Sequence, residues 1–347
     1  MPFRRLSGLR YGNRCAGVPA NNPELRRFRR RSPRDRESEE APAPQRVMPV
    51  AVKPKPVPVA APVIVQRVPY LETCAIVRDE QHLPEWVAYQ FAIGADHVHL
   101  IDNESVVPVA ERLKEWVKAG KVSVAFRAGR KKQNRAYSVY SREAKARWVA
   151  FIDADEFILP HKTNDLKELL EGYEAFGGVG IPWAVFGSSG HVAAPAGLVI
   201  ENYLMKGPWE FNMNKDPMPQ YKSVVQPARV RGCGNPHYFR YREGWFAVGT
   251  QGHRLKSQHW GDAPDDLAQI NHYMMKSLED FRLKQERRGG MNNRPRREGE
   301  FERVDRHCNA IFDDRILRFV PLVKRLLENY GHQSGPQLAA LEANVSA

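Results

Sequence analysis

The amino-acid sequence predicts an α/β protein: a doubly wound, mostly parallel sheet preceded by a disordered basic arm. Three observations predict it. From about residue 70 onward, short apolar runs alternate with helical segments, the pattern of a parallel sheet with crossover helices. Asp79, Asp102 and Asp153 each stand where an apolar run ends, and ligands of such sheets bind outside the carboxyl ends of the strands. The first 66 residues show neither pattern and hold 14 Lys and Arg against 5 Asp and Glu.

The elements follow in order. Residues 1–46 are Arg-, Pro- and polar-rich without a sustained apolar period, a composition that cannot build a core. Residues 47–63 alternate Pro with small apolar residues, which favours an extended, semi-rigid linker. Order begins near Tyr70. ETCAIVRDE (72–80) reads as a buried strand, and PEWVAYQFAIG (84–94) as a helix with Pro84 in its first turn and Gly94 at its end. DHVHLIDNES (96–105) is a second strand, PVAERLKEWVKAG (108–120) an amphipathic helix and KVSVAFR (121–127) a third strand. A helix is predicted over 134–147. RWVAFIDADEFILP (147–160) is a fourth strand followed by an acidic turn, and ILRFVPLVKRLLENYG (316–331) a last amphipathic helix. The predicted organisation is an arm and linker over 1–66, one α/β domain over 67–330 and a tail over 331–347.

Composition narrows the function classes. Of the chain's net charge of +13, the arm carries +9, so the body is only mildly basic. Attraction of the arm to acidic lipid headgroups or nucleic acid is one reading, and a plain solvated tail the other. Cys15, Cys74, Cys233 and Cys308 form no C-x-x-C pair, which argues against a zinc site on paired cysteines and fits reduced thiols. No run approaches the roughly 18–20 apolar residues of a membrane span, and no apolar stretch follows the first arginines as a secretory signal requires. The expectation is a cytoplasmic protein with peripheral membrane contact through the arm and no specific nucleic-acid partner.

The sharpest chemical feature is Asp153-Ala154-Asp155-Glu156, directly after the apolar run WVAFI. Three carboxylates in four positions repel one another unless something positive neutralises them. A hard divalent cation, Mg²⁺ or Mn²⁺, does so with oxygen ligands and bridges to substrate phosphates. Asp153 and Asp155 stand two apart, so in an extended segment their side chains share a face. A solvated acidic turn is the plain alternative.

The ordered set Glu72 to Glu80, Leu83 to Trp86, Gly94 to His97, Asp102-Asn103 and Trp148 to Phe157 resembles the glycosyltransferase family 2-like and family 92 group. Val185 to His191, Tyr221-Lys222-Ser223 and Asn271 to Ser277 resemble it too, so the likeness covers about residues 70–325. The family's usual Lys-Asn-Glu is here Arg78-Asp79-Glu80. The resemblance implies a GT-A (Rossmann-like) fold and a nucleotide diphosphate sugar donor. It implies a nucleoside pocket near Asp102 and Val77 to Asp79, Asp153 facing the ribose or metal, and Asp155 and His272 as metal ligands. It also suggests inversion by direct displacement.

The reaction sets further requirements. Breaking the sugar–phosphate bond builds charge on the leaving diphosphate, which a cation and nearby Lys or Arg stabilise. Lys222, Lys276, Arg130 and Arg135 are the candidates. A carboxylate must take the proton of the acceptor hydroxyl; Glu201 is the first candidate, with Glu210 and Asp216 as alternatives. Phe186 to His191 is a glycine-rich loop suited to a sugar-pocket wall. Trp183, Trp209, Trp245 and Trp260 offer stacking faces or core packing, and His237, His253 and His259 are equally ambiguous. The stretch 284–306, basic and polar, reads as a lid over the diphosphate, a site for an acidic acceptor, or a mobile loop. The expected function is metal-dependent transfer of a hexose to a glycan or lipid-linked acceptor. A sugar nucleotidyltransferase needs a Gly-rich phosphate loop that residues 71–80 lack. A nucleic-acid- or membrane-binding protein acting through the arm is the reading from another class, and a non-catalytic relative that binds without turnover is a further one.

Overall fold

The computed structural model describes residues 68–209, 220–256, 267–286 and 299–332. The arm expected over 1–66 lies outside these residues, as does the tail beyond residue 332.

The first half alternates as its hydrophobic pattern requires. β1 (Leu71–Val77) leads to α1 (Leu83–Ala92), β2 (His97–Asp102), α2 (Val109–Arg112), α3 (Lys114–Lys118), β3 (Val122–Phe126), α4 (Gln133–Glu143) and β4 (Trp148–Phe151). β1 runs parallel to both β2 and β4, and β3 parallel to β2. A central parallel strand is covered on both faces, hence the burial of β1 along almost its whole length, Glu72 and Thr73 included. Its residues still separate with period two. Leu71, Ala75 and Val77 join Trp148, Ala150 and Ile152 in one core, while Cys74 joins Val149 and Phe151 in the other. Gly94 ends the α1 turn in a left-handed conformation (φ +96°), and a Cβ there would strike the Asp165 carboxylate.

The second half is β5 (Glu156–Pro160), α5 (Leu166–Glu171), β6 (Gly178–Val185), α6 (Val199–Asn202), β7 (Met205–Lys206), β8 (Tyr221–Val225), β9 (Val230–Asn235), β10 (Tyr238–Tyr241), β11 (Ala247–Gly249), β12 (Ala268–His272), α7 (Leu278–Glu286), α8 (Glu300–Cys308), β13 (Ile311–Phe312) and α9 (Val320–Asn329). The main sheet runs β3-β2-β1-β4-β8-β6-β12-β5, with β11 also beside β6. β8 is antiparallel to β4 and β6, and β5 is antiparallel to β12; the other pairings are parallel. The fold is therefore α/β with a mostly parallel sheet. α1 and α9 pack together over the first core, and α4 packs with the β9–β10 hairpin over the second.

Four elements differ from the sequence reading. The segment 147–160 is two strands, because the chain reverses at Asp153–Asp155 and β5 leaves β4 to pair with β12. A continuous apolar run does not reveal such a reversal. The helix expected over 108–120 breaks at Leu113 (φ −115°) into α2 and α3. Trp116 is nonetheless buried, stacked on Phe91 and Tyr330 with centroids 5.0 and 3.7 Å away. α4 ends at Glu143, since Ala144 turns extended (ψ 134°). The last helix begins with a 3₁₀ turn, Arg315–Phe319. Among the described residues no helix is long and apolar enough to cross a membrane.

Candidate active site

The reversal between β4 and β5 places the acidic cluster at the carboxyl end of the parallel strands. Glu156 fastens the turn from both sides: its amide donates to Asp153 O at 3.1 Å, and its Oε2 accepts from the Asp153 amide at 2.9 Å. The cluster's partners come from remote elements. Lys222, on β8, donates to Asp153 Oδ2 at 2.7 Å and stands 3.4 Å from Glu156 Oε1. Gln133, the first residue of α4, donates to Asp153 Oδ1 at 2.6 Å. Lys284, on α7, donates to Asp155 Oδ2 at 2.6 Å. His272 ends β12 in register with Glu156, and its Nε2 lies 3.6 Å from Asp155 Oδ1. The Tyr273 amide donates to Asp155 O at 2.9 Å, tying the end of β12 to the turn.

Burial governs the charge states here. It would raise the Asp155 carboxyl, but Lys284 and His272 outweigh it and hold the group well below the usual carboxylate range. Asp153 is likewise lowered, because Lys222 overcomes its desolvation. Glu156, with no exposed surface, goes the other way: desolvation pushes it well above its ordinary value, and Lys222 offsets only part. Burial would discharge Lys222, yet Asp153 and Glu156 raise its pKa and keep it an ammonium. The sharp contrast is thus between two ionised aspartates and a neighbouring glutamate that favours its proton. Trp183 lies beside the cluster, its ring 4.3 Å from that of His272 and 4.9 Å from that of His237, centroid to centroid. His237 is held by a 2.9 Å hydrogen bond between its Nδ1 and Tyr221 O, and burial followed by Lys222 lowers its pKa to about 3. Two buried nitrogens here, Trp183 Nε1 and His272 Nδ1, have no hydrogen-bond partner among the described residues.

Among the described residues, no three His, Cys, Asp or Glu side chains are arranged to hold a cation by themselves. The donor set still fits a cation shared with a substrate. Asp155 Oδ1 and His272 Nε2, 3.6 Å apart, are close enough for one ion with bonds of about 2.0–2.2 Å to touch both. Magnesium-type ions commonly take one or two protein ligands and complete their shell with phosphates and water.

The structure thus brings Asp153, Asp155, Lys222 and His272 together. Val77 ends the neighbouring strand β1 and Asp79 follows it: Val77 O accepts from the Asn103 amide at 2.8 Å, and Asp79 Oδ1 accepts from the Val106 amide at 2.7 Å. Asp102 accepts from the Ser105 and Val109 amides at 2.9 and 3.0 Å, so both of its oxygens order the loop after β2. Lys222 has no exposed side-chain surface, so it faces Asp153 and Glu156 rather than open solvent. Glu201 is not drawn into the cluster. It sits on α6, where its Oε2 accepts from the Leu198 amide at 3.1 Å and its Oε1 meets Lys324 at 2.5 Å. Lys276 pairs with Glu80 at 2.8 Å, and Arg130 and Arg135 are exposed around the start of α4. In the glycine-rich loop, Ser188 binds Asp305 of α8, and Ser189 Oγ accepts from the Leu204 and Met205 amides. Glu210, Asp216, Trp260, His259 and residues 287–298 of the expected lid lie outside the described residues.

Sequence reading overlooked Gln133 and did not single out Lys284. A polar residue opening a helix and a lysine in a basic stretch are too common to stand out, and only the chain path aims them at the turn.

Comparison with known proteins gives two kinds of result. Among solved structures, S. aureus TarS 1–349 is similar at 11% identity and a TM-score of 0.31, covering 46% of this chain and 47% of that one. The same fragment in complex with UDP gives 12% identity and the same TM-score and coverage. A putative glucose-1-phosphate thymidylyltransferase from Bacillus anthracis gives 11% identity and a TM-score of 0.27, covering 45% and 69%. The chain spans about half the length of the TarS fragment it matches. No curated protein matches by sequence. The family comparison is decisive: residues 74–307 match glycosyltransferase family 92, a span that contains the whole acidic turn and all its partners, and the chain belongs to that family of transferases.

Proposed function

We propose that this chain is a metal-dependent glycosyltransferase that moves a hexose from a nucleotide diphosphate sugar to a glycan or lipid-linked acceptor, with inversion. One observation carries the reading. The Asp153–Asp155 turn stands at the carboxyl end of the parallel strands with Lys222, Lys284 and His272 converging on it.

In this reading Asp155 and His272 hold Mn²⁺ or Mg²⁺, which supplies Lewis-acid stabilisation to the leaving diphosphate. Lys222 acts through Asp153: the buried ammonium keeps that carboxylate ionised and fixed, and Gln133 fixes its other oxygen. Asp153, 35% exposed, presents its free edge to the ribose or metal. Lys284 contributes a second positive charge beside the diphosphate site. Val77, Asp79 and Asp102 shape the nucleoside end through the loop they order. For the base we retain Glu201, because α6 is tied to the glycine-rich loop by His191, whose Nε2 lies 3.2 Å from Asn202 O. To accept a proton, Glu201 has to release Lys324.

A panel of nucleotide sugars tests the reading through binding and donor hydrolysis, with and without Mn²⁺ and with Asp155→Ala as control. Metal-stimulated hydrolysis of one donor, lost in the variant, supports it. Full metal stimulation in Asp155→Ala would sink the site assignment.

A further inference from the structure

A second feature, remote in character from the acidic turn, is positively charged. The β9–β10 hairpin and the end of α4 carry Arg142, Arg231, Arg240 and Arg242. Among the described residues none of the four forms an ion pair, although Glu243 is the next residue in the chain. Arg142 lies over β9 beside Gly232 (φ +150°), where a Cβ would press on Ser138 Oγ at 3.2 Å and only touch Arg142 Nη1 at 3.7 Å. Guanidinium groups cannot shed their charge, so gathering them without a counter-ion is unfavourable.

These arginines line two adjoining hollows. Arg142, Val230, Arg231 and Arg242 line one of about 360 Å³ that is open to solvent. Arg231 is shared with a second, also about 360 Å³, whose walls include Arg240, Arg254, Tyr238 and Trp245. Neither hollow is lined by a residue of the acidic cluster. The second adds aromatic faces to the charge; Trp245 is 37% exposed, and its ring packs 3.7 Å from the Arg229 guanidinium. Arginine forks match the geometry of phosphate, sulfate and carboxylate groups, and aromatic rings pack against the apolar faces of sugars. A bilayer surface asks for a flat basic face, and a nucleic-acid strand for a longer charged track with successive stacking platforms. Two short, shallow hollows, the second pairing arginine forks with aromatic walls, fit a short anionic saccharide better than either.

The hairpin is also joined to the active site. Its turn residue His237 packs on Trp183, and Ser223 Oγ, next to Lys222, donates to His237 O at 2.7 Å. A chain held by the arginines therefore lies on an element that reaches the acidic turn.

We propose that the β9–β10 hairpin binds an anionic oligosaccharide, one whose sugar units bear phosphate, sulfate or carboxylate groups, and that this is the acceptor class of the enzyme. The acceptor half rests on the transferase reading; the binding half does not.

The test uses the full-length protein, so that the basic arm contributes equally to every sample. Titration with a short sulfated dextran oligosaccharide is followed by tryptophan fluorescence, with neutral dextran as control. Saturable binding is expected, weakened at least about tenfold in Arg231→Gln/Arg242→Gln, since each charge-assisted hydrogen bond contributes about a factor of ten or more. The same variant keeps wild-type binding of Mn²⁺ with a nucleoside diphosphate. In the wild-type protein the oligosaccharide also protects Arg142, Arg231 and Arg242 from phenylglyoxal labelling, a readout that needs no variant. Unchanged affinity in the double variant together with no protection overturns the proposal. So does tighter binding to phosphatidylglycerol vesicles or a short single-stranded RNA, when that binding is lost with the same arginines. Failure to bind any nucleotide with Mn²⁺ strikes the transferase reading instead and leaves the saccharide result standing.

Discussion

Lys222 Nζ stands 2.7 Å from Asp153 Oδ2, and the lysine side chain that makes this contact is wholly enclosed. A buried ammonium is stable only while a carboxylate faces it, and here that carboxylate is Asp153.

Lys222→Met is therefore expected to damage folding as well as activity. Removing one member of a buried charged set costs about 3–5 kcal/mol. Urea unfolding should show a much lower midpoint with an unchanged slope. A variant that unfolds like the wild type would show that Asp153 does not need this lysine.

Asp155→Ala should lose Mn²⁺ binding in the presence of a nucleoside diphosphate, read by electron paramagnetic resonance. Loss of charge stabilisation at such a site typically lowers turnover about 10²–10³-fold. His272→Ala is expected to weaken the same signal, because both side chains face one position.

Glu201→Gln separates two roles. As the base, Glu201 should lose about 10²-fold or more in kcat with the donor still bound. As a helix-end acceptor alone, the amide substitutes for the carboxylate at Leu198 and kcat stays near wild type. The second result would move the proton acceptor elsewhere.

A pH effect on stability is expected from Glu85. This carboxyl is buried and accepts from the Val199 and Ile200 amides at 2.9 and 3.1 Å, which joins α1 to the start of α6. Desolvation raises its pKa from 4.5 to about 7, against the pull of those amides. The folded chain then holds a proton that the unfolded chain releases, so stability falls as pH rises from about 4.5 towards 7. That gap corresponds to about 3 kcal/mol. Glu85→Gln cannot ionise and should gain on the wild type by most of this amount between pH 5 and pH 8, as measured by thermal or urea melts at each pH. A constant difference across that range would exclude Glu85 as the titrating group.

Much of the first half was legible because its signals are local. The parallel strands β1 to β4 are short apolar runs between amphipathic helices, and Asp153 and Asp155 are two residues apart at the end of one run. The second half was less legible. Its antiparallel strands β5 and β8 leave no mark in hydrophobic periodicity, since direction is decided by pairing with distant chain. The sequence reading of 147–160 as one strand and an acidic turn therefore holds no separate β5.

The sequence alone determined the sheet's class, the acidic turn and its position beyond an apolar strand, because these depend on neighbouring residues and the periods of helix and strand. Only the tertiary structure decided which charges meet that turn. Lys222 and Lys284 lie 69 and 129 residues from the aspartates they bind, and nothing in their own surroundings distinguishes them from solvated lysines. Burial and strand register brought them there, and burial also split the charge states of Asp155 and Glu156, which adjoin in sequence but are desolvated against different neighbours.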